Sequence, residues 1–204
     1  MNNPIALTRE TNETQISLKL TIDGQQHISI NSGIAFFDHM LNQLAFHAGW
    51  DLELEATGDI EVDDHHLVED VALLLGQAIE QAWRTRSSQG FNRYGKSLLP
   101  MDEALVLCAL DLSGRPCCVC QLNFTREYTG KVSTEMWPHF FRSFSQTGQF
   151  TLHLQQMNGE NNHHIIEAAF KATAMAFKQA LASNPENTPS QNSSSTSSST
   201  KGLL

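Results

Sequence analysis

Two segments of this chain can be laid over one another, and that duplication limits what it can fold into more than any other feature. HHLVEDVALLLGQAIEQAW, from His65 to Trp83, faces HHIIEAAFKATAMAFKQAL, from His163 to Leu181. The paired histidines coincide, and so do Glu69 with Glu167, Ala78 with Ala176, Gln81 with Gln179 and Ala82 with Ala180. Both segments carry apolar residues at helical spacing among good helix formers. Asp63 and Asp64 precede the first, Asn161 and Asn162 the second. These are N-cap residue types, so each histidine pair is expected in the first turn of a helix.

The correspondence continues upstream. DLELEATGD and FTLHLQQMNGE each alternate polar and apolar residues like a half-buried strand and end in a turn signal. Before them lie two helical stretches, FFDHMLNQLAFHAG with His39 and WPHFFRSFSQTG with His139. Before those, TQISLKLTIDGQQHISI reads as a hairpin turning at Asp23-Gly24, and EALVLCALDLSGRPCCVCQL as one turning at Ser113-Gly114. Each half therefore reads strand, strand, helix, strand, helix. The expected class is α+β, an internal duplication of a β-β-α-β-α half, with two sheets and helices packed between or against them. The halves are placed at residues 1–87 and 88–183, followed by a tail at residues 184–204.

With 204 residues, 40% of them hydrophobic, the chain can build one sizeable core. A formal net charge of −9 argues against nucleic acid or an anionic membrane as main partner. It leaves room for a small anionic substrate, because a few local arginines outweigh the mean. MNNPIALTRE has neither a basic n-region nor a long apolar run, and no stretch reaches the roughly 18 apolar residues of a membrane span. A cytoplasmic location is expected. Cys108, Cys117, Cys118 and Cys120 lie in strand-like sequence without paired-ligand spacing, so they read as reduced structural residues. The tail, NPENTPSQNSSSTSSSTKGLL, has no apolar period and is expected to be flexible.

The histidines carry the chemistry. Residues i and i+4 share a helix face, so His65 with Glu69, and His163 with Glu167, can each grip one metal ion. His66 and His164 point elsewhere and are free to reach a second ion. With His39 and His139, the chain offers six imidazoles and two carboxylates, enough for two ions that keep open positions for a substrate. His27, His47 and His153 fall outside the repeated register and read as ordinary. Imidazole suits zinc, manganese, iron, nickel and copper alike, so composition leaves the metal open. If the two members of a pair serve different ions, sites can be shared between chains, and an obligate oligomer follows.

At these residues the sequence resembles the imidazoleglycerol-phosphate dehydratases of histidine biosynthesis. FFDHMLNQLAFH, ATGDIEVDDHHLVED, NRYG, MDEALVLCALDLSGRP, HFF and GENNHHIIEAAFKA look like that family's blocks, in its order, over nearly the whole chain before the serine-rich tail. The resemblance implies a hydro-lyase that converts imidazole glycerol phosphate to imidazole acetol phosphate. It implies two manganese ions (Mn2+) per active site, a ribosomal protein S5 domain 2-like fold, and a homo-oligomeric shell, a 24-mer, with active sites at subunit boundaries. The substrate hydrogen to be lost has no carbonyl beside it, so the imidazole ring, as a metal-stabilised imidazolate, is the expected electron sink.

The resemblance also implies residue roles. Glu13 in NETQI and Glu167 are the general acid and base. Arg93 in NRYG and Arg115 in SGRP hold phosphate, for which a guanidinium fork is suited. Gln43 and Lys171 line the site. The family ends in a Ser-Ser-Lys-Gly-like segment that closes over substrate, here matched by Ser199, Thr200, Lys201 and Gly202, behind a linker that is unusually serine-rich. No phosphatase domain precedes the first half, so a single activity is expected. Two other readings explain part of the pattern. A non-catalytic metal-assembled shell accounts for the histidines but not for Arg93, Arg115 and Lys201. A dinuclear metallohydrolase would want aspartate-rich ligation, for which only Asp63 and Asp64 stand ready.

Overall fold

The structure is a computed structural model that describes residues 4–88 and 90–184. Strands β1 (Ile5–Glu10), β2 (Thr14–Thr21), β3 (Ile28–Asn31) and β4 (Asp51–Gly58) form one sheet in the order β1-β2-β4-β3. Strands β5 (Tyr94–Met101), β6 (Ala104–Asp111), β7 (Cys117–Gln121) and β10 (Thr151–Asn158) form a second in the equivalent order β5-β6-β10-β7. A short ribbon, β8 (Tyr128–Thr129) and β9 (Val132–Ser133), stands apart. The helices are α1 (Ala35–Ala48), α2 (His65–Ser87), α3 (Met136–Gly148) and α4 (Asn162–Ala180). The class is α+β with two repeated halves, as expected.

Each four-stranded sheet carries one more strand than the sequence pattern indicates, and the second half adds the β8–β9 ribbon. β1 (IALTRE) has no fully buried residue, and β5 (YGKSLLPM) contains a glycine and a proline that mask it. Pro100 is tolerated because β5 is an edge strand, where a missing N–H breaks no ladder bond. The two expected hairpins do not form. β4 lies between β2 and β3, antiparallel to one and parallel to the other, and β10 lies likewise between β6 and β7. The Asp23-Gly24 turn folds over the start of β4 instead, where Asp51 Oδ1 accepts the backbone N–H of Gln25 at 2.6 Å and of His27 at 2.9 Å. The other edge of β2 is already taken by β1.

Alternation within β2 puts Ile16, Leu18 and Leu20 on the buried face and polar residues outward. That apolar face is covered by helices. α2 packs on its own sheet and against α3, while α4 packs on its own sheet and against α1. Each half thus lends one helix to a pair completed by the other half. The joint is aromatic: Trp50, Trp83 and Trp137 are fully buried, Trp50 packs edge-on to Phe177, and the Trp83 Nε1–H donates to the Gly148 carbonyl at 2.9 Å. β5 runs hard against α4 at Gly95, where a Cβ would stand 1.8 Å from the Ala176 carbonyl oxygen.

Candidate metal and active site

Local capping places the histidine pairs as expected. α2 starts at His65, whose N–H is accepted by Asp63 Oδ1 at 3.2 Å. α4 starts one residue before its pair, and the Asn161 side chain accepts the His163 N–H at 3.0 Å. Both pairs therefore sit in a first helical turn.

The helix pairing then decides which groups meet. α1 and α4 lie side by side in the same direction, with Phe36 against His163 near their starts and Trp50 against Phe177 near their ends. This brings His39 Nε2 to 3.5 Å and His163 Nε2 to 3.1 Å from the same oxygen of Glu167. α2 and α3 are paired the same way. His139 Nε2 stands 3.1 Å and His65 Nε2 3.6 Å from the Glu69 carboxylate. In each group of two histidines and one glutamate, the three ligand atoms lie within 4.8 Å of one another. The upstream histidine is exchanged: His39 of the first half joins the second half's helix, and His139 joins the first's.

Both groups suit a divalent cation. Two imidazoles and one carboxylate match the donor set of open catalytic sites, which leave positions for substrate or water. The His139 Nε2 is buried and makes no hydrogen bond of proper geometry among the described residues, although a Glu69 oxygen is near. A lone pair held there has a natural partner in a cation.

Glu167 is buried, and burial pushes its carboxyl up. The Lys171 ammonium, 2.6 Å away, together with the His163 and His39 rings, outweighs that and holds the group below the usual carboxylate range. Glu167 is thus kept as an anion. Gln43 stands half-buried one turn beyond His39 on α1.

His66 and His164 turn away from these groups. The His66 Nδ1 lies 3.1 and 3.2 Å from the two oxygens of Asp59. The His164 Nδ1 lies 2.7 Å from Glu103, and its Nε2 3.5 Å from Asp102. These hydrogen bonds raise both imidazole pKa values. Glu103 also accepts the backbone N–H of Asn161 at 2.8 Å and of Glu160 at 3.2 Å. The Asn161 N–H first, and then His164, pull its carboxyl down to about 2. A carboxyl depressed in the fold stabilises above its unfolded pKa, and that contribution is lost as pH falls through the folded value. Glu103→Gln should therefore flatten the loss of stability between about pH 4.5 and about pH 2, measured by urea unfolding at stepped pH.

The arginines gather elsewhere. Arg93, nearly buried, points its Nε and one Nη at both oxygens of Asp111, at 2.7 and 3.2 Å, and stacks over the Tyr94 ring. Arg115 is exposed, 3.9 Å from the same Asp111. Glu13 stands exposed in the turn between β1 and β2. Its carboxylate makes no hydrogen bond or ion pair among the described residues, but its charge reaches His66. Ser199, Thr200, Lys201 and Gly202 lie outside the described residues.

Residues 32–177 match the family model described as imidazoleglycerol-phosphate dehydratase. The chain belongs to the imidazoleglycerol-phosphate dehydratase family. It is 48% identical to the dehydratase of Chlorobium chlorochromatii over 96% of this chain and 94% of that one. It is 46% identical to that of Gluconobacter oxydans over 97% and 96%. Among solved structures, the Staphylococcus aureus dehydratase superposes with a TM-score of 0.81 at 34% identity, covering 89% of this chain and 100% of that chain. The Pyrococcus furiosus enzyme, solved in complex with (S)-C348, superposes at 0.80 and 32%, covering 97% and 100%. As a member of this family the chain is a hydro-lyase.

Three carboxylates that sequence reasoning passed over surround the expected residues of this dehydratase-family chain. Asp59 and Glu103 hold the outward histidines, and Asp111 holds Arg93 with Arg115 nearby. Asp59 follows the turn glycine of β4, Glu103 stands in MDEAL, and Asp111 in ALDLSGRP. All three lie inside blocks that carry the resemblance, but no helical or strand period links them to their partners, and Glu103 meets His164 across 61 residues.

Among the described residues no helix is long and apolar enough to cross a membrane.

Proposed function

We propose that this chain dehydrates imidazole glycerol phosphate to imidazole acetol phosphate in histidine biosynthesis, with two manganese ions per active site. The observation that carries the reading is the pair of matched two-histidine, one-glutamate groups on helices of a chain of this family. His39, His163 and Glu167 would hold one ion, and His65, Glu69 and His139 the other, with His66 and His164 completing sites across a subunit boundary. Bound there, manganese supplies Lewis acidity and a template for the substrate's ring and hydroxyl.

The chain's own groups do the rest. Glu167, kept anionic by Lys171, and Glu13, whose carboxylate makes no hydrogen bond among the described residues, move the protons of carbon deprotonation and water loss. Arg93, Arg115, Ser199 and Lys201 hold the phosphate, and Gln43 and Lys171 line the site. Asp111 presents the Arg93 fork in a fixed orientation.

Distances favour sites shared between copies. The Arg93 backbone N–H is bonded to Ala180, at the far end of α4 from Glu167. At 1.5 Å per residue those ends are about 20 Å apart, more than a small phosphate ester spans. The arginines of one copy would therefore act with the metal groups of another. We infer a homo-oligomer, a 24-mer, in the cytoplasm. Exposed Ile60 and Val62, in the loop just before α2, offer apolar surface for such a contact.

The test is direct. The protein, prepared with and without manganese, receives imidazole glycerol phosphate, and the keto product is followed. Manganese-dependent product formation is expected. A metal-loaded assembly that does not turn over overturns the reading.

A further inference from the structure

Glu13 and Glu103 occupy the same place in the duplication. Each is the residue before the second strand of its sheet, and β2 and β6 are both eight residues long. Their registers agree from Thr21 opposite Asp51 and from Asp111 opposite Thr151, until a β-bulge in β10 between Gln156 and Asn158 shifts the second half by one residue just before Glu103. The two glutamates nevertheless do different things. Glu103 accepts from the start of α4 and fixes His164. Glu13 binds nothing with its carboxylate among the described residues, and the equivalent histidine, His66, is held by Asp59.

The loops that lead to the two helices differ in length and in their first residue, Asp59 after β4 against Gly159 after β10, which has no side chain. Residues 59–64 join β4 to α2, whereas only residues 159–161 join β10 to α4. The longer loop brings Asp59 back over His66. The shorter one leaves His164 to Glu103. In either half a carboxylate takes the Nδ1–H of the outward histidine, which puts that ring's lone pair on Nε2, the atom left to ligate.

We propose that Asp59 is a positioning residue that orients His66 for ligation through Nε2. By taking the task that Glu103 performs in the other half, it leaves the Glu13 carboxylate available for proton transfer. The second part rests on Glu13 being a proton-transfer group, as read above. The structural duplication explains why one half keeps a bound glutamate and the other an unbound one at the same position.

Two measurements on the full-length assembly test this. Manganese is titrated into the metal-free protein and followed by the electron paramagnetic resonance of the free ion, which needs no substrate. Because Glu13 can take the vacated Nδ1–H, the titration is made in a Glu13→Ala background, where adding Asp59→Ala should weaken binding about 10- to 100-fold. Adding Asp59→Asn, which keeps an oxygen for the Nδ1–H, should leave the affinity near that of Glu13→Ala alone. Unchanged affinity on adding Asp59→Ala overturns the proposal. Equal loss in both variants also overturns it, because charge alone would then be what Asp59 supplies.

The second measurement is kcat at saturating manganese. Asp59→Ala should lower it by drawing Glu13 onto His66, so adding Glu13→Gln should cost little more. An unchanged kcat in Asp59→Ala, or a full further loss in the double variant, overturns the release of Glu13. If Glu13→Gln leaves the parent kcat unchanged, the assignment of Glu13 in the catalytic reading fails instead, and the anchoring by Asp59 is still decided by the titration.

Discussion

Glu167→Gln is expected to lower kcat by about 10³-fold, within the range of lost general acid–base groups, and to weaken manganese binding by at least about 100-fold. Three of its contacts give the reason. One carboxylate oxygen faces the Nε2 atoms of His39 and His163, and the other takes the Lys171 ammonium at 2.6 Å. An amide keeps the shape but removes the anion. It would present an N–H₂ group either to the metal side or to Lys171, and neither accepts it. Glu69→Gln should weaken manganese binding comparably through His65 and His139, but without a lysine to disturb. Steady-state kinetics with metal analysis of the purified variants checks both. Near-parental kcat in Glu167→Gln would remove Glu167 from the proton-transfer role.

Gly95→Ala costs about 3 kcal/mol or more, seen as a Tm lower by roughly 6–12 °C. Gly95 shows no strained dihedral, so the penalty is purely one of space. The added Cβ would stand 1.8 Å from the Ala176 oxygen and 2.7 Å from its carbonyl carbon. Backbone cannot swing aside as a side chain can, so α4 must lift from β5, and α4 carries His163, Glu167 and Lys171. Activity should fall with stability. Gly49→Ala is the contrast. Gly49 ends α1 at φ 78 with open space around it, so its cost is only that of a left-handed alanine, about 1–2 kcal/mol. Equal effects of the two substitutions in urea unfolding would show that the β5–α4 contact yields easily.

How much of this was legible in the sequence depends on the range of the interaction. The first-turn position of both histidine pairs follows from N-cap residue types and a 3.6-residue period, and both are found there. The facing of His65 toward Glu69, and of His163 toward Glu167, follows from the same period. Strand pairing followed less well. A turn signal such as Asp23-Gly24 marks where the chain reverses but not which strand it returns to, and β4 took the place that β3 was expected to fill. β5 was hidden by Gly95 and Pro100, which are explained only by the helix lying on it and by its place at a sheet edge.

The sequence by itself determined the duplication, the α+β class, the family and the sharing of one helix face by His65 with Glu69 and by His163 with Glu167, because repeat register and helical spacing are local and periodic. Only the tertiary structure decided that His39 meets Glu167 and His139 meets Glu69, each across the boundary between halves. It also decided that Asp59, Glu103 and Asp111 hold the residues beside them, and that Arg93 stands at the far end of α4 from Glu167. These contacts follow from how four helices bury their apolar faces against two sheets and each other. That is a choice among pairings of similar composition, made by packing over the whole core rather than by any stretch of chain.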